Sequence, residues 1–157
     1  MTTTNKLIKV ELNENIIKRD AIVENERETA MRDLINNNSF KIVDESITGP
    51  YILSISIEED MKIVADVQNE SKETVYTFKL SVKPLRRLIK DYMYICESYY
   101  ETMKTLSAPQ IETVDMARRA LHNEGAEMLE KMLQSNVIVD TETSRRLFTL
   151  ITIMHIR

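Results

Sequence analysis

Between Gln110 and Ala126 the sequence places an arginine where an apolar residue would be expected. On a wheel of 100° per residue, Ile111, Val114, Ala117, Leu121, Gly125, Met128 and Met132 fall in one apolar arc, and Arg118 lies inside it. A guanidinium on a stripe that faces the core must find a partner. Asp115 stands three residues before Arg118 and His122 four after, so the three line one edge of the stripe, beside Arg119 and followed by Asn123 and Glu124. Such a set holds a carboxylate or phosphate, or poises His122 as an acid or base. The plainer alternative is an Asp-Arg-His network that only braces a neighbouring helix. Arg145 and Arg146, early in the last helical stretch, can complete an anion pocket or pair with Asp115 or Glu124.

A second basic cluster opens the preceding helical stretch. Lys83, Arg86, Arg87 and Lys90 crowd its N-terminus, where free N–H groups and the macrodipole already favour an anion. The alternative is a solvated face neutralised by Asp91 or by Glu24, Glu26 and Glu28. Further along, Leu88, Tyr92, Ile95, Cys96, Tyr99 and Met103 share an apolar arc. Cys96 sits near its centre, as a buried, inert thiol would. Tyr92, Tyr99 and Tyr100 are expected in the core. Tyr94 falls on the polar face beside Arg87 and Lys90, exposed unless something covers it.

Other chemistries are absent from the sequence. The single cysteine excludes an internal disulfide and any multi-cysteine metal site. Two glycines, Gly49 and Gly125, cannot build a Walker loop or a dinucleotide fingerprint. No Glu-x-x-His or His-Glu-x-x-His run exists, and the other histidine, His155, is on a different helix, so no metal centre is expected. No local pattern marks a nucleophile, so no catalytic residue and no cofactor are assigned. A net charge of −4 gives no global attraction to nucleic acid, which ranks as a third reading resting on Lys83 to Lys90 alone.

The elements that must carry these residues follow from periodicity. Alternation predicts strands over Lys6–Leu12, Tyr51–Ile57, Met61–Val67 and Tyr76–Val82, with turns near Glu59-Asp60 and across Asn69–Glu73. A helix is expected from about Ala21 to Asn36, with Asn36-Asn37-Asn38 as a left-handed exit. After Pro84 the period becomes 3.6 and three helices follow: about Leu85–Thr105, about Ser107–Gln134 with a capping serine and proline, and one opening at the N-cap Asp140. The expected fold class is α+β: an antiparallel sheet of about four strands against a C-terminal three-helix layer, plus one N-terminal helix. All 157 residues form one domain, mostly strands with one helix over 1–82 and three helices over 83–157. The last helix is apolar nearly all round, leaving a strip at Arg145, Thr149 and Thr152. Either it runs through the middle of the helical layer, or one flank meets a second copy. The N-terminus lacks the layout of a signal peptide, and no apolar run approaches a membrane span, so a cytoplasmic protein is expected.

Three runs carry a resemblance: DYMYICESYYE over 91–101, QIETVDMARRALHNEGA over 110–126 and SRRLFTLI over 144–151. With them the chain resembles a bacterial group known as uncharacterised protein family 0262, over almost its full length and most closely in the C-terminal half. That resemblance implies a cytoplasmic bacterial protein and carries no activity, cofactor or site residue. From the residues themselves, two functions compete. One is a non-catalytic interaction or regulatory protein that associates with itself through the C-terminal helices, or with another protein. The other is an anion-binding protein or small enzyme for a phosphorylated or carboxylate compound, using the Asp115, Arg118 and His122 edge with Arg145 or Arg146.

Overall fold

The computed structural model describes residues 4–13, 21–102 and 104–155, with main chain alone at 21–22 and 99–102. Met103, expected on an apolar arc, lies outside the described residues, as do Ile156 at the end of the apolar last helix and the side chains of Tyr99 and Tyr100. The elements in order are β1 (Leu7–Asn13), α1 (Ala21–Asn36), β2 (Phe40–Ile42), β3 (Tyr51–Glu58), β4 (Lys62–Gln68), β5 (Thr74–Ser81), a 3-10 turn (Lys83–Leu85), α2 (Arg86–Thr102), α3 (Ala108–Leu133), β6 (Val137–Val139) and α4 (Thr141–Met154). The α+β class holds, with one four-stranded sheet ordered β1-β3-β4-β5.

Strands β3, β4 and β5 form the expected antiparallel meander. The first hairpin turns through Asp60 and Met61, both at positive φ (67° and 58°). β1 joins parallel to β3, which makes the sheet mixed. That pairing needs a crossover, and α1 supplies it. β3 is buried from Tyr51 to Ile55 without alternation, flanked in the sheet by β1 and β4. Two elements were not evident in the sequence: β2 and β6, three residues each, pair antiparallel in a separate ribbon.

The exit from α1 differs from expectation. None of Asn36, Asn37 and Asn38 takes a positive φ. Instead the buried Asn38 side chain donates to the Leu34 carbonyl (2.8 Å) and to the Leu7 carbonyl (2.9 Å), and accepts from the Leu7 N–H (2.7 Å). One amide thus ends the helix and pins β1 to it, satisfying backbone groups that would otherwise be buried unpaired.

α4 takes the central course. Leu147, Phe148, Leu150, Ile151 and Ile153 are buried, and so are Thr149 and Thr152 of the supposed polar strip. α1 and α3 pack on its two flanks. Leu147 and Ile151 face Leu53, Ile55, Ile63 and Ala65 of the sheet across a small apolar cavity. From Leu147 to Ile153 the apolar surface that suggested a second copy is thus covered within the chain. The buried face of α3 is also rotated from its expected arc: His122, Gly125, Ala126, Leu129 and Leu133 are buried, while Ala117 is exposed. The cause is close approach. A Cβ on Gly125 would collide with the Phe148 ring, and Ser144 Oγ donates to the Ala126 carbonyl at 2.6 Å. Small residues face the neighbour here, and a wheel weighted by hydrophobicity passes over them.

Candidate functional site

α3 starts from a complete capping box: Ser107 Oγ accepts from the Gln110 N–H, and the Gln110 side chain accepts from the Ser107 N–H. α4 starts at Asp140, whose carboxylate accepts from the Thr143 N–H at 2.9 Å. These two helices, packed at Gly125, place Arg118 and Arg119 opposite Arg145 and Arg146. α1 closes the third side, giving a cleft of about 360 Å³ lined by Asn25, Glu26, Thr29, Ala30 and Asp33 of α1, Tyr92 of α2, Arg118, Arg119 and His122 of α3, and Arg145, Arg146 and Thr149 of α4. Four guanidinium groups face two carboxylates there.

Asp115 organises the α3 arginines. It accepts from Arg118 Nη2 at 2.8 Å and from Arg119 Nε at 2.8 Å, with a further short contact to Arg119 Nη2. Those two guanidinium groups hold its carboxyl below the ordinary range. Arg146 reaches Glu142 at 3.6 Å and Asp33 at 4.0 Å, and Arg145 reaches Glu142 at 4.0 Å. The α4 arginines therefore pair with acids of α1 and their own helix, not with Asp115 or Glu124. Arg145 Nε is buried and has no hydrogen-bond partner among the described residues.

His122 sits under these cations. Its Nε2 lies 3.0 Å from the Arg145 carbonyl and 2.8 Å from Thr149 Oγ1. A carbonyl only accepts, so Nε2 carries the proton and Nδ1 is the bare nitrogen of the neutral ring. The imidazole stacks on Tyr92 (centroids 5.2 Å apart, planes 20° apart) and leans on Phe148. Burial, then the charges of Arg145, Arg118 and Arg146, push its pKa down to about 4. At neutral pH it is an uncharged brace between α3 and α4, and a weak base.

The family model of the Uncharacterised protein family (UPF0262) matches residues 4–157. A UPF0262 protein of Mesorhizobium japonicum is 45% identical over 155 residues, covering 99% of this chain and 96% of that protein. One from Brucella anthropi is 45% identical over 152 residues, covering 97% and 94%, and one from Brucella canis is 43% identical over the same span and shares. The chain belongs to the UPF0262 family. No solved structure matches it.

In this UPF0262 chain, Arg118, Arg119, His122, Arg145 and Arg146 line one cleft, with Asp115 bonded to the two α3 arginines behind it. Asn123 and Glu124 do not take part: both are exposed and neither lines the cleft. The α1 wall was missed. Asn25, Thr29 and Asp33 recur every four residues, a polar stripe that in sequence looks the same as a solvated face. The second basic cluster disperses: Lys83 pairs with Asp60 at 2.6 Å and Arg87 with Asp91 at 3.7 Å, while Arg86 makes no ion pair among the described residues. Cys96 is buried as expected, and burial pushes its thiol up to about 11. Among the described residues no group of histidines, cysteines and carboxylates is arranged to hold a metal, and no helix is long and apolar enough to cross a membrane.

Proposed function

We propose that this chain is a cytoplasmic bacterial binding protein for a phosphorylated or carboxylate small molecule, held in the cleft between α1, α3 and α4. The observation that carries the reading is the convergence of Arg118, Arg119, Arg145 and Arg146 on one cavity, with the buried Arg145 Nε left as a donor without an acceptor. Arginine forks match planar carboxylates and phosphates, and each charge-assisted bond is about twice as strong as a neutral one. Binding, not turnover, is the role the side chains support. Neutral His122, held at Nε2 by Thr149 and the Arg145 carbonyl, has little basicity to offer a reaction in the empty cleft. Self-association gets no support from Leu147 to Ile153 of α4, which are buried within the chain.

Native mass spectrometry of gently purified protein, followed by thermal melts with pyrophosphate, phosphorylated sugars and di- and tricarboxylates, tests this. A retained anion, or a melting temperature raised by several degrees and lost in Arg145→Met, is the expected result. If no anion shifts the wild type, and Arg118→Ala and His122→Ala change only thermal stability, the binding reading fails. A dimer with no excess mass would return attention to self-association.

A further inference from the structure

A second concavity lies at the C-terminal end of α4, beside α2 and the β3–β4 turn. It encloses about 520 Å³ between Ile57 of β3, Met61 of the β3–β4 turn, the side of α2 from Arg86 to Glu97, and Thr152, Met154 and His155 at the end of α4. Its size suits a small organic ligand, and its walls are mostly apolar. Three methionines line it, side chains that adapt to a flexible chain better than to a rigid ring.

Two polar atoms bordering this groove are idle. Thr152 is fully buried, yet its Oγ1 has no hydrogen-bond partner among the described residues. The same is true of His155 Nε2, a buried atom, while Nδ1 of that ring meets the Ile151 carbonyl at 2.8 Å and so must donate to it. In the neutral ring Nε2 is therefore a bare acceptor. A buried hydroxyl and a buried ring nitrogen without partners cost stability in the empty protein, and both are relieved by one group that accepts from the threonine and donates to the histidine. A hydroxyl does both.

Charge sets the orientation. Arg86 and Lys90 stand one turn apart and make no ion pair among the described residues, so an anionic head has two cations to meet. Glu97, eleven residues beyond Arg86, is about 16 Å further along the helix and repels such a head from the far end. Tyr94, 71% exposed, lies where a bound chain would cover it. We infer that this groove binds a linear acyl carboxylate bearing a hydroxyl group, its carboxylate between Arg86 and Lys90, its chain along Ile57, Met61, Ile89 and Met93, and its hydroxyl at Thr152 and His155. The site is separate from the arginine cleft, and either can fail without the other.

The test is a calorimetric and NMR titration of the full chain with dodecanoates hydroxylated at C3, C6 or C12, of which the best-bound serves as the hydroxy acid, and with dodecanoate and dodecanol. Saturable binding of the hydroxy acid, with shifts at the amides of residues 86–97 and 152–155, is expected. It should be about tenfold tighter than dodecanoate, and dodecanol should be weaker still. The exposed pair Arg86→Ala/Lys90→Ala should weaken both acids at least tenfold while leaving dodecanol unchanged. The nearly isosteric Thr152→Val should erase the advantage of the hydroxyl alone. Equal binding of dodecanoate by wild type and the double variant would overturn the proposal. So would shifts confined to the arginine cleft, or association with phosphatidylglycerol vesicles without any binding of the free acids.

Discussion

The two concavities beside α4 treat polar groups in opposite ways. In the arginine cleft most charged side chains already have a partner, Arg145 Nε being an exception: Asp115 serves two guanidinium groups, His122 is fastened to Thr149, and Arg146 reaches acids on two helices. In the groove under α2, Thr152 Oγ1 and His155 Nε2 have none, and Arg86 and Lys90 have no ion pair among the described residues. The first is preorganised, with its charges held in position before a ligand arrives. The second carries its unmet hydrogen bonds as a cost in the empty state. Substitutions in the first should therefore cost stability, and one in the second should raise it.

The largest expected effect comes from acid. His122 has a folded pKa of about 4 against an ordinary 6.5. Above pH 6.5 the ring is neutral in both states and the shift has no effect on stability. As pH falls below 6.5 the unfolded chain takes a proton that the folded chain refuses until about pH 4. Folding stability therefore falls across that window, by on the order of 3 kcal/mol. Urea midpoints measured from pH 7 to pH 4 should show the decline, and His122→Gln should flatten it. A slope unchanged in that variant would mean that the cleft is not what acid attacks.

Next in size is Gly125→Ala. The added methyl meets the Phe148 ring, and the gain in helix propensity of about 1 kcal/mol does not offset overpacking at a close helix crossing; a net loss of about 2 kcal/mol is expected in chemical denaturation. Because α3 and α4 carry the four arginines, the same change should weaken any anion bound in the cleft and leave the groove's ligands nearly untouched. The smallest effect is Thr152→Val without ligand. It removes an unsatisfied buried hydroxyl and should raise stability by about 1 kcal/mol. A loss instead would show that the hydroxyl is satisfied in the empty protein and that the two regions do not differ in this respect.

Local patterns were read well from the sequence; features that depend on two distant segments were not. The meander announced itself through alternation in Tyr51–Val82, and the starts of α3 and α4 through Ser107 and Asp140, because caps and turns act within a few residues. Arg118 was flagged because a charge on an apolar stripe is locally inconsistent. The α1 wall of the cleft was not evident, since Asn25, Thr29 and Asp33 acquire meaning only when α1 docks on α4. The parallel pairing of β1, the β2–β6 ribbon and the double role of Asn38 were hidden for the same reason. Asn123 and Glu124 were included by adjacency to His122, and helical geometry turns them to solvent.

The ribbon also bears on the timing of assembly. β2 pairs with β6, and beside it the Ser39 N–H donates to Thr143 Oγ1 across 104 positions of sequence. The hairpins of the meander close over short loops, whereas these contacts must wait until β6 and the start of α4 exist. α1, made early, has no α4 to dock on before then, so the cleft closes only after α4 has been made. Anion binding would then report a chain made through α4: fragments that stop before it would keep their hairpins and have no cleft to fill.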